Sequence, residues 1–321
     1  MTVKSRFLEL LEQNKGEVIS GEAAAEKLQC TRAAIWKAAK ALRGEGYEID
    51  AAQNRGYRLS PGLSPISAEA FKLHLKTQGI SVKVFDELDS TNRQARRELM
   101  DGTIDSEGVV IARSQKEGRG RRGRTFFSPE GGLYLSVILR PETTMQQSLI
   151  LTTAAATAVF LAVRDVCKVD LSIKWVNDLY LDSRKVCGIL TEAITNFETG
   201  DIEYAIVGIG LNLKFQEPVP VELQEKIGEL TNPEGEQIDP NRLGAAIVDH
   251  LLEEVQRTEV SEIYREHNMI PGHRIHILDG ERSRDAKALS INSDGTLVVE
   301  EADGTEKTLF YGEVSVVPTK E

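Results

Sequence analysis

The sequence is poor in cysteine and histidine. Its three cysteines, Cys30, Cys167 and Cys187, are odd in number and widely spaced, and they include no Cys-x-x-Cys pair. This pattern is typical of reduced thiols in a cytosol rather than of a disulfide framework. Among the five histidines, His273 and His276 are three residues apart, but no third ligand lies near them. The sequence therefore does not favour a protein-bound zinc site.

Long apolar runs are also lacking. The longest, roughly residues 149 to 163, contains Thr152, Thr153 and Thr157. A membrane helix needs roughly 20 apolar residues, so we expect a buried helix instead. No charged-then-apolar segment typical of a signal peptide is seen near residue 1. The sequence predicts a cytoplasmic protein that does not bind membranes.

Positive charge is scarce overall, with 39 Lys and Arg against 50 Asp and Glu and a net charge of −11. One seven-residue segment, Gly118 to Arg124, nevertheless holds four arginines and three glycines. Guanidinium groups fit carboxylate or phosphate oxygens, and glycine lets the backbone come close to an anion. The segment occurs once, between strand-like runs at 108–112 and 133–139. This position favours a site for a polyanionic ligand over a non-specific nucleic-acid-binding tail.

At 321 residues, the chain is long enough for two or three domains. Residues 1–63 are predicted to form a helical unit with a hairpin. Residues 64–268 alternate strands and helices, as an α/β domain does. In residues 269–321, Asp-Gly turns separate short β-rich runs, which predicts a small antiparallel barrel or sheet. The fold class is thus a multidomain α+β protein.

The N-terminal unit has the pattern of a winged helix-turn-helix. Thr31 is placed to cap a helix over residues 32–43, which has apolar residues at helical spacing on one side and basic residues on the other. Strands at 47–50 and 56–59 would form the wing. Residues 1–60 contain ten Lys and Arg against eight Asp and Glu, a net charge of +2 in an acidic chain.

This basic helix is predicted to bind DNA, because phosphates meet a local patch rather than the net charge. The residues expected to contact DNA are Thr31, Arg32, Trp36, Lys37, Lys40, Arg43 and Arg55. The alternative is a three-helix module that only packs on the next domain, a role that the outward-facing Trp36 would serve equally well.

Two further motifs lie in the central part. Asp-Ser-Thr-Asn at 89–92 follows a strand and opens a helix, so Ser90 or Thr91 could simply cap that helix. The functional alternative is that these hydroxyls and Asn92 bind a small polar ligand.

The second motif, Lys-Trp-Val-Asn-Asp at 174–178, is followed by Lys-Val-Cys-Gly-Ile-Leu at 185–190. A hairpin would bring the two segments together, and Gly188 within a strand indicates a close approach to the backbone. Lys185 is either a cation in the site or a surface lysine.

Taken together, the segments 89–92, 118–124, 174–178 and 185–190 resemble the biotin–protein ligases in order and spacing. With a helix-turn-helix in front, the chain is similar to the bifunctional bacterial type, which is both a ligase and a biotin operon repressor. The resemblance covers nearly the whole chain.

Two departures from the family pattern affect local packing but not the charged groups. Phe126 and Val176 stand where many bacterial relatives have tryptophan and proline.

The resemblance implies a central mixed sheet with flanking helices, related to class II aminoacyl-tRNA synthetases, and a C-terminal SH3-like barrel. It implies a reaction in which biotin and Mg·ATP give biotinyl-5′-adenylate, and a lysine of a biotin carrier protein then takes the biotinyl group. The expected acceptor is the carrier subunit of acetyl-CoA carboxylase. The repressor would bind operator DNA as a homodimer formed on binding biotinyl-adenylate.

The resemblance also assigns roles to residues. The implied catalytic residues are Lys185 and Arg121. The implied biotin-binding residues are Ser90, Thr91, Asn92, Gln115, Arg119, Gly120, Arg121, Lys185 and Gly188. The implied ATP- and adenylate-binding residues are Arg119, Arg121, Arg122, Arg124, Lys174, Asn177 and Asn212. Asp178 is implied to bind the metal or to orient the lysine. The arginine loop is expected to be disordered when empty and to close on the ligand.

Other hypotheses remain open. A ligand-sensing transcription factor without catalysis would need binding but not turnover, so the presence of Lys185 and of the whole arginine loop argues against it. A third hypothesis is a ligase that does not bind DNA. The basic residues of helix 32–43 argue against it, but more weakly. A lipoate ligase would not be expected to carry the arginine loop or the helix-turn-helix.

Overall fold

The computed structural model describes the chain except for residues 1, 53–55, 105, 142–147, 196–200, 280, 281, 311 and 318–321. The chain forms two compact units. One comprises residues 1–78 and 236–246, and the other comprises residues 79–235 and 247–321. The three-domain division at residues 63 and 268 stays a prediction.

The first unit contains the predicted helix-turn-helix and hairpin. Its elements are α1 (Val3–Gln13), α2 (Gly21–Lys27), α3 (Arg32–Gly44), β1 (Ile49–Ala52), β2 (Gly56–Leu59) and α4 (Ala68–His74). The second and third helices begin where their caps predict, because Ser20 accepts a hydrogen bond from Ala23 N and Thr31 accepts one from Ala34 N. The first strand begins at Ile49, two residues after the predicted start.

Apolar packing holds this unit together. The predicted buried face of α3 lies in the core, together with Phe7 and Leu11 of α1. The β1–β2 hairpin is linked to the segment before α2, because Ile19 and Tyr57 exchange two backbone hydrogen bonds of 2.8 Å. This close approach requires glycine at position 56, where the φ angle is +111° and a Cβ atom would lie 2.2 Å from the carbonyl oxygen of Ile19. The hairpin is therefore fixed at its base.

The second unit is built around a seven-stranded mixed sheet. Its elements are β3 (Ser81–Leu88), α5 (Thr91–Met100), β4 (Gly108–Gln115), β5 (Leu133–Leu139), α6 (Ser148–Cys167), β6 (Ser172–Lys174), β7 (Asp178–Leu181), β8 (Arg184–Thr195), β9 (Ile202–Leu211) and α8 (Glu262–Glu266). Helix α7 (Pro240–Glu254) precedes α8 in the chain. The strand order is β3-β4-β5-β9-β8-β7-β6, and β3 and β4 are parallel while the other neighbours are antiparallel.

The core of this unit lies on β5 and α6. All seven residues of β5 are buried, as is typical of a strand covered on both faces. Helix α6 is long and apolar enough to cross a membrane by composition, but 72% of its apolar stretch is buried inside the protein. It thus has the character of a core helix, which confirms the prediction of a buried helix over 149–163.

The C-terminal strands form a five-stranded antiparallel sheet. They are β10 (Arg274–Asp279), β11 (Arg282–Ile291), β12 (Leu297–Glu300), β13 (Glu306–Leu309) and β14 (Glu313–Val316), in the order β13-β12-β11-β10-β14. The predicted antiparallel sheet is confirmed. Among the described residues the sheet is open, because β13 and β14 are its edges and do not pair with each other. The closed SH3-like barrel is therefore not confirmed.

Candidate active site

A pocket in the second unit brings most of the predicted ligand-binding residues together on one face of the central sheet. The strand register places Asp178 opposite Gly188, Gly188 opposite Gly210, and Gly210 opposite Tyr134. Side chains that are directly opposite on neighbouring strands share a face of the sheet. These four residues therefore form a row on one face of the sheet. The row crosses strands β7, β8, β9 and β5, and the two glycines are in its centre.

These glycines make room for an aromatic ring. A Cβ atom at position 210 would lie 2.4 Å from Cε1 of Phe126, and one at position 188 would lie 2.8 Å from its Cε2. At Gly208 the same atom would lie 2.2 Å from Oδ1 of Asn92. Three strand glycines thus let Phe126 and Asn92 lie directly against the sheet. Phe126, one of the two departures from the family pattern, keeps an aromatic ring in this place.

Lys185 lies beside this ring. Its Nζ atom forms a 2.6 Å ion pair with Oδ1 of Asp178 and lies 5.9 Å from the centre of the Phe126 ring. Both charged side chains are about three-quarters buried, with exposures of 25% and 22%. Lys185 therefore presents its charge in the pocket and is not an ordinary surface lysine.

The main chain of Lys185 is held on both sides. Its N–H donates to the carbonyl of Lys226, and its carbonyl accepts from Gly228 N. Nδ2 of Asn212 also donates to this carbonyl, at 3.3 Å, and to that of Gly228, at 3.1 Å. Asn212 is 2% exposed and lies behind the pocket rather than on its wall. Its Oδ1 atom is buried and has no hydrogen-bond partner among the residues that the structure describes.

The arginine loop forms a hairpin. Backbone bonds of 2.8 Å join Gly120 N to Arg124 O and Phe126 N to Gly118 O. A short 3₁₀ turn at the tip has Arg122 in the left-handed region, with a φ angle of +54°. A Cβ atom at position 118 would lie 2.3 Å from the carbonyl oxygen of Phe126, so glycine is required at the base of the hairpin.

Two arginines dock this hairpin on other parts of the unit. Nη1 of Arg121 donates to Oδ1 of Asn177 at 3.1 Å, and Nη1 of Arg122 donates to the carbonyl of Leu278 in β10 at 3.1 Å. Asn177 is itself fixed, because its Nδ2 donates to the carbonyl of Ile189 at 2.8 Å. The hairpin therefore covers the pocket between the central and the C-terminal sheet.

The Ser-Thr-Asn motif opens α5 as expected, but capping does not explain it. Ser90 occupies the N-cap position and its side chain makes no capping hydrogen bond. The N–H of Thr91, the first residue of the helix, donates to Oε1 of Gln115 at 2.8 Å. Since the hydroxyl of Ser90 is not used by the helix, the functional alternative for this motif gains support.

Asp89 fixes the start of α5. Its carboxylate accepts two hydrogen bonds from Arg97, at 2.6 and 3.1 Å, and one from the N–H of Ser90 at 2.8 Å. The guanidinium of Arg97 lowers the pKa of this carboxyl below its ordinary value, although partial burial acts in the opposite direction. Asp89 therefore remains charged and holds the turn in place.

The pocket wall contains nearly all of the predicted biotin and adenylate residues. Those that line it are Ser90, Thr91, Asn92, Gln115, Arg119, Gly120, Arg121, Arg122, Arg124, Lys174, Asn177, Lys185 and Gly188, together with Asp178. Asn212 is the exception.

Sequence reasoning missed several lining residues. The central sheet also contributes Ile189, Leu190, Gly208, Ile209 and Gly210. Their signal is a run of glycines that alternate with apolar residues inside a strand, which indicates close approach by a ligand or side chain. Gly312 and Val314 of the C-terminal sheet line the pocket as well. No sequence motif marks these two residues.

The residues behind the site are fixed and unreactive. Val176, the second departure from the family pattern, is buried, and its carbonyl accepts a 3.0 Å hydrogen bond from the hydroxyl of Tyr264. Burial raises the pKa of this tyrosine and of the Cys187 thiol well above their ordinary values. Both groups therefore stay protonated, and Cys187 is not a nucleophile.

In the first unit, the side chains predicted to contact DNA are exposed along α3. Trp36 is 55% exposed, and Nζ of Lys40 lies 5.6 Å from the centre of its ring. Two of the residues predicted to contact DNA also have structural roles. The hydroxyl of Thr31 caps the helix, and Nε of Arg43 donates to the carbonyl of Ile49 at 2.7 Å. Arg55 lies outside the described residues.

Comparisons with known proteins agree with this fold. Residues 84–212 match the model of the biotin/lipoate A/B protein ligase family, and residues 4–58 match that of an HTH domain. The structure of a biotin protein ligase from Aquifex aeolicus in complex with biotin and ATP is similar at a TM-score of 0.60 and 25% identity, covering 74% of this chain and 99% of that one. The fold and pocket thus define a ligase domain of the biotin/lipoate type that follows a helix-turn-helix domain.

Relatives that match over nearly their whole length identify the protein family more closely. The bifunctional ligase/repressor BirA of Bacillus subtilis (strain 168) is 33% identical over 323 residues, which cover 95% of this chain and 96% of that protein. BirA of Escherichia coli (strain K12) is 31% identical over 327 residues, which cover 98% and 97%. The chain belongs to the family of bifunctional ligase/repressors, as its motifs predict.

Proposed function

We propose that this protein activates biotin with ATP to biotinyl-5′-adenylate and transfers the biotinyl group to a lysine of a biotin carrier protein. The observation that carries this proposal is the convergence of Lys185, the arginine hairpin and the glycine-backed ring of Phe126 in one pocket. The similarity to a ligase structure that contains biotin and ATP supports it. We further propose the carrier subunit of acetyl-CoA carboxylase as the acceptor.

The positive charges of the pocket suit the first half-reaction. A carboxylate must attack the α-phosphate of ATP, so two anions have to be held together against their repulsion. Arg119, Arg121 and Arg124 line the pocket and supply positive charge for the carboxylate and the phosphates. The ammonium of Lys185 would stabilise the negative charge that develops where the carboxylate and the phosphate meet. The hairpin over the pocket would shield the mixed anhydride from water.

The apolar and polar parts of the site suggest where each half of the adenylate lies. We assign the biotin end to Ser90, Thr91 and Gln115, with Asn92 and Gly188 beside them. Asn212 belongs to the adenylate end indirectly, because its Nδ2 holds the carbonyls of Lys185 and Gly228 behind the pocket. We assign Lys174 and Asn177, with Arg122, to the adenylate phosphate side.

Magnesium would enter with ATP. Among the described residues, no group of three or more histidine, cysteine, aspartate and glutamate side chains is arranged to hold a metal. Mg²⁺ at nucleotide sites commonly keeps water ligands and uses only one or two carboxylates with the phosphates. Asp178, the acidic residue of the pocket wall, fits such a role and would hold the ion that neutralises the phosphates.

The helix-turn-helix domain supports a second activity. We propose that α3 binds operator DNA through Arg32, Lys37 and Lys40, and that the protein represses biotin synthesis genes when biotinyl-adenylate is bound. We propose that the adenylate closes the arginine hairpin and promotes a homodimer on a palindromic site. The chain would act in the cytoplasm, as three domains with boundaries near 63 and 268 and with an SH3-like C-terminal domain.

The test is biotin-dependent ATP–pyrophosphate exchange, comparing the wild type with Lys185→Ala. We expect exchange that requires biotin, ignores lipoate and falls at least a hundredfold in the variant, since removal of one stabilising charge costs about 3 kcal/mol of barrier. Absence of exchange in folded, biotin-binding protein would make the chain a sensor. DNA binding measured with and without biotin and ATP tests the repressor: no binding in any ligand state would leave only the ligase.

A further inference from the structure

Helix α3 carries one aromatic ring on its exposed surface. Trp36 is the only aromatic residue between Arg32 and Gly44, and it is 55% exposed. The sequence leaves two roles open for this ring, contact with DNA or packing on the next domain. Apolar surface left in water gives up the free energy that a partner would recover by covering it. The cations proposed to bind operator DNA do not explain the ring.

The ring lies among positive charges. Arg32 and Lys40 are one helical turn before and after Trp36, and both are exposed. Nζ of Lys40 lies 5.6 Å from the centre of the ring. The cores of protein interfaces are depleted in charged residues, so these surroundings do not suit packing against another protein surface. They fit a partner that presents apolar groups beside anionic ones.

The major groove of DNA offers such a partner. Its edges are lined by phosphates, and the 5-methyl group of thymine is the apolar group that the base pairs present there. A helix that enters the groove contacts base edges with residues near its N-terminus. Trp36 is suited to such a contact by position, because it lies in the first half of the 13-residue helix α3.

The helix holds the base of this side chain in a fixed place. Ile35 and Ala39, on the other side of α3, are 0% exposed. The hydroxyl of Thr31 caps the start of the helix, and Nε of Arg43 donates to the carbonyl of Ile49 near its end. A tryptophan side chain has only two torsion angles to order, so a contact made from a fixed helix costs little conformational entropy.

We propose that Trp36 is a specificity-determining residue that recognises thymine through apolar contact with its 5-methyl group in the major groove. The inference rests on the proposed repressor function and names a base feature that α3 recognises in addition to the phosphates. Uracil has the same hydrogen-bonding groups as thymine and lacks only the methyl group. Replacement of thymine by uracil should therefore weaken binding although every phosphate and every base pair is kept.

The experiment measures binding of the full-length protein, with biotin and ATP, to two forms of a promoter fragment of the biotin synthesis genes. One form contains thymine, and the other contains uracil at every thymine position. The wild type should bind the thymine form roughly fourfold more tightly, the factor expected for one methyl group covered by apolar surface. In Trp36→Ala this preference should fall below about twofold. Trp36→Phe keeps an aromatic ring and should retain more of the preference than Trp36→Ala does.

Two further variants serve as controls. Lys37→Ala removes a cation from the same helix and should weaken binding to both forms by the same factor, because a phosphate contact carries no base information. Leu63→Ala removes an apolar side chain that is 43% exposed and lies outside α3 and the β1–β2 hairpin, so it should bind both forms as the wild type does. Lower salt raises the affinity for both forms, which keeps their ratio measurable in the weaker variants.

The remaining outcomes separate this proposal from the proposed function. If Trp36→Ala weakens binding to both forms in parallel, the ring contacts the DNA backbone or supports the helix, and the proposal is wrong. A preference that is the same in the wild type and in Trp36→Ala would belong to DNA shape or to another residue, and a wild type without preference would equally overturn the proposal. Failure of the wild type to bind either form in any ligand state would instead overturn the proposed repressor function.

Discussion

Lys185 and Asp178 form an ion pair, with Nζ and Oδ1 2.6 Å apart, at the centre of the pocket that receives the arginine hairpin. This contact holds the ammonium group of Lys185 in one position in the pocket, so the carboxylate is placed to orient it. We predict that Asp178→Asn lowers the kcat of biotin-dependent ATP–pyrophosphate exchange roughly tenfold, equivalent to about 1.4 kcal/mol of barrier. The KM for biotin should change less.

Asp182→Asn is the matched control. Asp182 is exposed in the turn between β7 and β8, and asparagine tolerates its φ angle of +54°. A variant of Asp178 that keeps the wild-type rate would show that the ion pair does not orient the lysine. If the variant instead needs more Mg²⁺ for half-maximal exchange, Asp178 acts as a metal ligand.

The glycines beneath Phe126 give a second prediction. A methyl group at position 210 would overlap the ring, with a Cβ to Cε1 distance of 2.4 Å, so Gly210→Ala should displace Phe126 and weaken biotin binding at least tenfold. Calorimetric titration measures the affinity. Gly62→Ala, where a Cβ atom meets nothing within 4 Å, should bind as the wild type does. In a double-mutant cycle, Phe126→Ala should remove most of the effect of Gly210→Ala, and simple additivity of the two changes would contradict the contact.

The sequence alone predicts features that depend on neighbouring residues better than features that depend on residues distant in the chain. Ser20 and Thr31 cap helices through their own neighbouring N–H groups, so local sequence suffices to place α2 and α3. Strand β5, in which every residue from 133 to 139 except Ser136 is apolar or aromatic, has the predicted ends, since this pattern is also local.

The pocket could be predicted only where a motif marks it. Gly312 and Val314 reach the pocket because the C-terminal sheet packs beside the central one within the second unit, and no local pattern encodes that packing. Ser90 occupies the N-cap position that its sequence predicts, but its side chain makes no capping hydrogen bond. The N–H of Thr91 is bound by Gln115, which is distant in sequence, so no local pattern could predict this contact.

The arginine hairpin should retain the adenylate. Arg121 lines the pocket and is held by Asn177, so its charge lies where the phosphate of the intermediate is expected. We predict that Arg121→Gly releases biotinyl-adenylate at least tenfold faster and lets it acylate lysines of nearby proteins. The off-rate of purified adenylate and the labelling of bovine serum albumin as a bystander measure this. An unchanged off-rate in the variant would refute the role of Arg121.

Asp89 makes stability depend on pH. Since Arg97 lowers the pKa of its carboxyl in the folded state, the charged form stabilises the fold at pH values above the unfolded pKa, near 3.9. This contribution is lost as the pH falls from there through the folded pKa. Asp89→Asn should therefore lower the free energy of unfolding by roughly 1 kcal/mol at pH 7 and by progressively less below pH 4.

Urea unfolding measures this difference in a Trp36→Phe background, where the fluorescence of Trp175 reports on the second unit. Asp86→Asn is the control, because the side chain of Asp86 is 94% exposed. A difference between wild type and Asp89→Asn that stays constant from pH 7 to pH 3 would show that the carboxylate charge is not what stabilises α5.

The helix-turn-helix gives a prediction that separates the two activities. Arg32 and Lys37 are exposed on α3 and belong to the first unit, whereas the ligase pocket lies in the second. Arg32→Ala and Lys37→Ala should each weaken binding to a promoter fragment of the biotin synthesis genes, in the presence of biotin and ATP. If the side chain contacts a phosphate, the slope of log affinity against log salt should also fall by about one per residue. ATP–pyrophosphate exchange should not change.

Lys72→Ala serves as the control for these variants, since Lys72 is an exposed lysine of the same unit on α4 rather than α3. Removing a charge there lowers the net charge of the unit equally but takes no cation from the proposed DNA-binding helix. If all three variants weaken DNA binding to the same extent, the attraction is a property of the overall charge, and α3 is not the recognition element. If only Arg32→Ala and Lys37→Ala do so, the position of each charge on α3 decides binding, as direct contact with DNA requires.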